Sequence, residues 1–399
     1  MPTMHDAASW AVRLGGDQFL TRVFHRSYAI FPADGTDTGS LLPWDDLNSI
    51  VATHRMEPPR LRLSQDGETT PLGRYSAPIT NRRGVTWNRV HPAELHARLA
   101  EGASLVVDAI DEIHPPIRAA AEALERFFGT PVQTNAYASW TEREGFGRHW
   151  DDHDVVVVQQ HGAKRWRLWE PTRTAPTFRD VESPEEPDGE PVADIVLTPG
   201  DVLYLPRGWW HAVTADQGTE SLHLTFGLVT HTGASLINWL ADQMHTDAVM
   251  RLDIPRHAES PAKSTYLEAL RTAMIAALSD PELIDRWADS VDTTHFGRPA
   301  PSLPYVAELP PRRKIAVRLT AARAKLTTNI TAGTVTLAAA GTEWEFAQQA
   351  APALRALVAG EPVTIGDLAD AADLEVKDVA GVLAVLIKGQ VACVVKAAL

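Results

Sequence analysis

The chain of 399 residues contains a single cysteine, Cys393. That excludes an intrachain disulfide and any zinc site built on thiolates. Cys393 lies in the apolar run VACVV, where a small buried hydrophobe is expected. Long apolar runs are also missing. No stretch approaches the roughly 18 uninterrupted apolar residues that cross a bilayer, so no transmembrane helix is expected. The start, MPTMHDAASWAVRL, has no basic n-region ahead of an apolar h-region, so no signal peptide is expected and the location is read as cytoplasmic. Positive charge is short as well: 37 Lys and Arg against 51 Asp and Glu give a net charge of −14. Phosphate binding needs a basic surface, so no direct nucleic-acid binding is expected. An acidic surface suits a cationic peptide or protein better.

What remains is ordinary for a globular protein, with 44% hydrophobic and 22% charged residues. The length allows two or three domains, and three zones are expected. Residues 1–230 carry short β-like runs divided by turns, among them SLVVDAI, VQTNAYASW, DVVVVQQ, KRWRLW, DVLYLP and SLHLTFGLV. Such punctuation predicts a β-sandwich or barrel. Helical segments come before most of these runs, and PPIRAAAEALERFFG has Pro at its start and Gly at its end, as helix caps require. Residues 231–310 are helical. Leu236, Trp239, Leu240 and Met244 form one apolar stripe, and Leu267, Leu270, Met274 and Leu278 a second, each expected to serve as core or as a subunit contact. Residues 311–399 read as strand, strand, three helices and a final strand, a winged-helix-like pattern. From Glu343 to Leu399 eight carboxylates face four bases, Lys396 among them, so a structural or protein-contact role is expected rather than phosphate binding.

The chemistry gathers in two segments. In RHWDDHDVVVVQQHGAKRW, His149 and Asp151 are two residues apart, so an extended chain sends both side chains to one face. In TPGDVLYLPRGWWHAV, two turns lead to His211, with enough chain between for several strands to return it to the same mouth. Two imidazoles and a carboxylate on one face of an ion, with the other positions open, make the facial triad of non-haem Fe(II) oxygenases. His153 and Asp154 are expected on the rim, His161 in an exposed turn and His223 as a hydrogen-bonded core residue.

Lys164 begins the run KRWRLW. Strand alternation puts Lys164, Trp166 and Leu168 on one face, the expected barrel interior. A buried lysine is costly without a partner, and the distal carboxylate of a 2-oxo acid co-substrate would supply one.

On these residues the chain resembles the JmjC/cupin-type ribosomal oxygenases, which hydroxylate ribosomal proteins with Fe(II), 2-oxoglutarate and dioxygen. HWDDHDVVVVQQHGAKRWRLW is similar to the family's H-x-D strand and its G-x-K-x-W-R return strand, and LPRGWWHAV to its P-R-G-x-x-H segment. The resemblance implies a mainly β fold with helices: a double-stranded β-helix (jelly-roll) core, a helical dimerisation region and a C-terminal winged helix. It implies His149, Asp151 and His211 as metal ligands, Lys164 and Asn135 at the co-substrate, and Tyr137 and Trp140 toward the target, with Trp209 and Trp210 near the entrance. A homodimer and a basic ribosomal-protein partner are implied too. Where histidine-hydroxylating members have a serine on the last core strand, this chain has Gly227, so an arginine target is as admissible as a histidine. Two alternatives stay open: the same chemistry on a peptide natural product or free amino acid, and a non-catalytic cupin and winged-helix regulator.

Overall fold

The computed structural model describes residue 4 and residues 6–35, 37–178 and 184–395. Lys396, one of the bases counted above, lies outside the described residues. The chain divides into two compact units, Met1–Thr230 and His231–Leu399.

In the first unit the strands in chain order are β1 (Ala29–Phe31), β2 (Leu61–Gln65), β3 (Glu68–Thr69), β4 (Ser76–Thr80), β5 (Thr86–Val90), β6 (Ser104–Val107) and β7 (Val132–Ser139). They continue as β8 (Asp154–His161), β9 (Ala163–Trp169), β10 (Ala193–Leu197), β11 (Val202–Leu205), β12 (Trp210–Asp216) and β13 (Ser221–Leu228). An eight-stranded sheet runs β1-β11-β8-β13-β7-β6-β2-β3, and a three-stranded sheet runs β10-β9-β12. Pairing within both is antiparallel.

The four valines of β8 show why this sheet has two sides to satisfy. Val156 and Val158 pack into a core with the helices, whereas Val155 and Val157 pack with Trp166, Leu168, Leu203 and Trp209. A strand buried on both faces is an uninterrupted apolar run, as DVVVVQQ suggests. Helices α1 (Ala7–Leu14), α2 (Gly16–Arg22), α3 (Trp44–Thr53), α4 (Pro92–Ala100) and α5 (Pro115–Phe128) contribute to the first of these cores. α5 begins with Pro and is capped by Gly129 at φ 67°, so both punctuation marks in its sequence are used.

Gly162 turns β8 into β9 at φ +62°, and a Cβ there would stand 1.7 Å from Glu220 O. Only glycine fits, and the tight turn sets the start of the strand that carries Lys164.

The second unit contains α6 (Gly233–Gln243), α7 (Ala248–Arg251), α8 (Ser260–Leu278) and α9 (Leu283–Thr294). Leu240 and Met244 bury against Leu283, with Leu236 and Trp239 packed beside them. The stripe of α8 is split: Met274 packs on the Leu240, Met244 and Leu283 cluster and Leu270 is half-buried, whereas Leu267 and Leu278 are exposed. The same unit continues with β14 (Ala316–Leu319), β15 (Lys325–Asn329), β16 (Thr334–Ala339) and β17 (Thr342–Ala347), then α10 (Ala351–Val358), β18 (Val363–Thr364), α11 (Ile365–Ala372), α12 (Val376–Lys388) and β19 (Ala392–Val395). Four strands precede α10 where the sequence suggests two. β15, KLTTN, is polar and almost wholly exposed, so it shows no apolar alternation to reveal it. The fold is mixed α/β with antiparallel sheets, richer in helix than the mainly β reading. Among the described residues no helix is long and apolar enough to cross a membrane.

Candidate metal centre

Backbone pairing brings the proposed ligands together. His149 and His211 form an antiparallel bridge in which His149 N donates to His211 O at 3.0 Å and His211 N donates to His149 O at 2.7 Å. Their rings stand 4.2 Å apart between centroids. Asp151 is fixed by the next turn: Gly208 N donates to Asp151 O at 2.8 Å. Gly208 sits at φ +80°, with Pro176 2.7 Å from where its Cβ would be, so the P-R-G turn requires glycine. His211 Nε2 lies 3.6 Å from Asp151 Oδ2, and one donor atom from each of the three residues falls within 4.8 Å of the others.

Both imidazoles are oriented from behind. His149 Nδ1 is 2.9 Å from Gly147 O, and His211 Nδ1 is 3.1 Å from Trp209 O. A carbonyl only accepts, so each Nδ1 carries the proton and each Nε2 is the nitrogen with a lone pair to offer an ion. The donor set, two neutral imidazoles and a carboxylate on one side, fits a divalent transition metal with open positions.

The ligands share a cavity of about 210 Å³ with Tyr137, Lys164, Trp166, His223 and Thr225. Lys164 lies on β9 four residues from Leu168, the register partner of His211. That is about 13 Å along the strand by the usual rise. Its Nζ donates to Ser139 Oγ, the side chain is only 4% exposed, and burial pushes its pKa down to about 7. The buried position expected from strand alternation is therefore the observed one.

His223 departs from expectation. It lines the cavity, its ring stacked on Tyr137 at 5.1 Å and edge-on to Trp166 at 5.6 Å. Burial, then the nearby Lys164 and His211, hold it neutral, well below the ordinary histidine range. His223 Nδ1 and Trp166 Nε1 are both buried and have no hydrogen-bond partner among the described residues. An indole N–H can only donate, a neutral imidazole donates from Nδ1 in one of its two tautomers, and buried polar atoms are seldom left idle, so both are suited to a bound acceptor.

Other expected residues are placed elsewhere. Asn135 Oδ1 accepts from Ala109 N at 2.9 Å, and its side chain hydrogen-bonds Tyr137; it stands behind the cavity lining. Trp140 packs on Trp44 at 5.8 Å and is not brought into the cavity. Trp209 meets Tyr28 edge-on at 5.2 Å, and Trp210 packs with Trp150 and Trp169, so both consolidate the turn. Asp154 is not on the rim but 2% exposed, with His25 Nδ1 and the Tyr204 hydroxyl on Oδ2 and Arg207 N on Oδ1. Burial opposes its ionisation, but these donors outweigh burial and hold its carboxyl below the usual range. Asp154 thus clamps the P-R-G turn to the strand that follows Asp151. His161 is partly buried, its Nε2 on Leu42 O and its ring stacked on Trp44. Arg62, on β2, reaches the cavity with its guanidinium over Phe146 and its Nε on Asp108 at 2.9 Å. No motif in RLRLSQ singles it out.

Residues 112–236, which carry the whole candidate centre, match the family model of the JmjC domain. More particularly, the chain is similar to ribosomal oxygenases. It is 35% identical over 137 residues to a protein of Drosophila persimilis named bifunctional lysine-specific demethylase and histidyl-hydroxylase NO66, a match covering 34% of this chain and 20% of that one. It is 36% identical over 157 residues to ribosomal oxygenase 2 of Rattus norvegicus, covering 36% and 33% respectively. The chain thus spans a third or less of the length of these relatives. The crystal structure of the Escherichia coli ribosomal oxygenase YcfD shares the fold, with a TM-score of 0.60 at 19% identity over 95% of this chain and 97% of that one. A structure of YcfD in complex with cobalt and 2-oxoglutarate matches with a TM-score of 0.58 at 19% identity, over 94% and 96%.

Proposed function

We propose that the protein is an Fe(II)- and 2-oxoglutarate-dependent oxygenase that hydroxylates a side chain of a protein or peptide, a ribosomal-protein arginine or histidine foremost. One observation carries this reading: the His149, Asp151 and His211 donors open into the same cavity as a buried lysine. Isomerisation or hydrolysis at such an ion needs no second cation at that distance, whereas a dicarboxylic 2-oxo acid does. The relative solved with cobalt and 2-oxoglutarate supports the same co-substrate.

Iron bound here supplies dioxygen activation, with 2-oxoglutarate ending as succinate and carbon dioxide while one oxygen atom enters a C–H bond of the target. The chain's own residues bind and orient. Lys164 and Ser139 take the distal carboxylate; Trp166 Nε1 and His223 Nδ1 donate to co-substrate oxygens; Tyr137, steadied by Asn135, faces the target; the valine and tryptophan walls exclude water. A net charge of −14 suits a basic ribosomal protein. The exposed Leu267, Ile275 and Leu278 of α8 support a homodimer built on 231–310, and β16 to β19 with α10, α11 and α12 support a winged-helix-like region within 311–399. A cytoplasmic location completes the reading.

The test is succinate release from 2-oxoglutarate on admitting oxygen to anaerobically Fe(II)-loaded protein, followed by mass spectrometry of ribosomal proteins for a one-oxygen gain. No succinate above a metal-free control would sink the co-substrate; succinate without any oxygen gain would redirect the search to smaller targets.

The two idle donors carry a separate prediction. Trp166→Phe and His223→Phe each keep an aromatic ring and remove one hydrogen bond, so 2-oxoglutarate should bind about three- to tenfold more weakly to the Mn(II)-loaded protein. Titration calorimetry under argon reads this without turnover. Unchanged affinity in both variants would remove these residues from the co-substrate.

A further inference from the structure

The charge of this chain is unevenly placed. Residues 54–98 hold eight arginines, Arg55, Arg60, Arg62, Arg74, Arg82, Arg83, Arg89 and Arg98, against four carboxylates, in a protein whose net charge is −14. Three of the eight are paired: Arg60 with Glu112, Arg62 with Asp108 and Arg98 with Glu101. Arg55, Arg74, Arg82, Arg83 and Arg89 are exposed.

Most of these sit on or beside the β4–β5 hairpin, which forms a two-stranded sheet of its own. Its tip is ordered by Asn81, whose Oδ1 accepts from Arg83 N at 2.9 Å and Val85 N at 3.1 Å, so Arg82 and Arg83 project from a fixed turn. In the hairpin register Ile79 pairs with Trp87 and Ala77 with Arg89, which puts Ile79, Trp87 and Arg89 on one face. That face forms one wall of a groove of about 790 Å³ whose other walls carry His54, Arg55 and His96. Among the described residues no aspartate or glutamate lines it. Arg55 lies over the Trp87 ring at 4.6 Å.

A groove of guanidinium forks, imidazoles and an indole without carboxylates is complementary to a polyanion that also has flat faces. Guanidinium groups pair with phosphate oxygens in a planar, bidentate way, and rings give bases a surface to stack on. A basic ribosomal protein has the wrong sign for this groove. We infer that the β4–β5 hairpin and the groove beside it bind single-stranded RNA, through phosphates at Arg82, Arg83 and Arg89 and base stacking at Trp87 and Arg55. The expectation of no nucleic-acid contact rested on the summed charge, which hides this local reversal. The surface takes no part in the oxygenase reading and can fail independently of it.

The experiment is fluorescence anisotropy of a labelled oligouridine dodecamer with the full chain, in rising potassium chloride. Binding is expected at low salt, weakening log-linearly. The triple variant R82Q/R83Q/R89Q should lose at least about tenfold in affinity and flatten the salt slope by about 2, since each single-strand phosphate contact contributes roughly 0.7. Succinate release should be unchanged in the same variant. Arg271→Gln, an exposed arginine of the second unit, should bind RNA like wild type. The inference is overturned by absence of oligouridine binding at low salt, by equal affinity in the triple variant, or by an equal loss in Arg271→Gln. Displacement of the RNA by polyglutamate at matched charge would assign the groove to an acidic protein and overturn it likewise.

Discussion

Asp151→Ala and His211→Ala are expected to stay folded and to lose Fe(II). The two imidazoles and the carboxylate converge within 4.8 Å, and removing one leaves a two-ligand site. Disturbing an outer-sphere partner already costs about 10- to 100-fold in metal affinity, so loss of a ligand should exceed about 100-fold. Succinate release should fall below about a hundredth of wild type with it. Asp151→Asn separates charge from shape: it preserves the volume but supplies a neutral oxygen, so affinity should fall and the thermal midpoint should hold. Anaerobic metal titration and circular dichroism read the two effects apart. Wild-type iron affinity in any of the three variants would remove that residue from the centre.

Lys164→Met should raise the Kd for 2-oxoglutarate about 100- to 4,000-fold, the cost of leaving a carboxylate buried without its cation, about 3–5 kcal/mol. The variant should be no less stable than wild type, because it replaces a desolvated amine by an apolar chain of similar length. The pH dependence has a defined sign. With its pKa near 7 in the free protein, Lys164 is charged below that pH and neutral above it. Binding a carboxylate above pH 7 must take up a proton, so the Kd should rise by up to about tenfold per pH unit there and stay flat below. Lys164→Met should abolish the slope. Folding stability runs the other way: the unfolded chain holds this proton up to its ordinary range near 10.5, so the lysine's burden on the fold is relieved as pH rises from about 7 toward that value. A pH-independent wild-type Kd would remove Lys164 from the co-substrate.

Both variants address residues legible from spacing alone. H-x-D on an extended segment, P-R-G before a histidine and alternation along KRWRLW are local patterns, and the sheet keeps them. What escaped is what depends on pairing between distant strands. His223 faces Tyr137 only because β13 lies beside β7 in that register, and nothing in SLHLTFG distinguishes it from a core histidine. Asp154 follows two other acids in DDHD and looks solvated; its burial depends on Tyr204 and His25, far away in sequence. Trp140 failed in the opposite direction. It is adjacent to Ser139, which touches Lys164, yet just past the end of β7 it packs on Trp44. For the fold, apolar strands were readable and the polar strand β15 was not.

The bridge between His149 and His211 has a further consequence. His149 and His211 are tied to each other by peptide hydrogen bonds, a kind of link to which no ion contributes, and each ring is aimed by a carbonyl. The free energy of metal binding is then not consumed in ordering the chain, unlike a zinc finger, where apoprotein and unfolded protein are the same thing. Iron is replaceable cargo in such a framework. A cell short of the metal would keep a folded stock of empty protein, and returning iron would restore it without new synthesis.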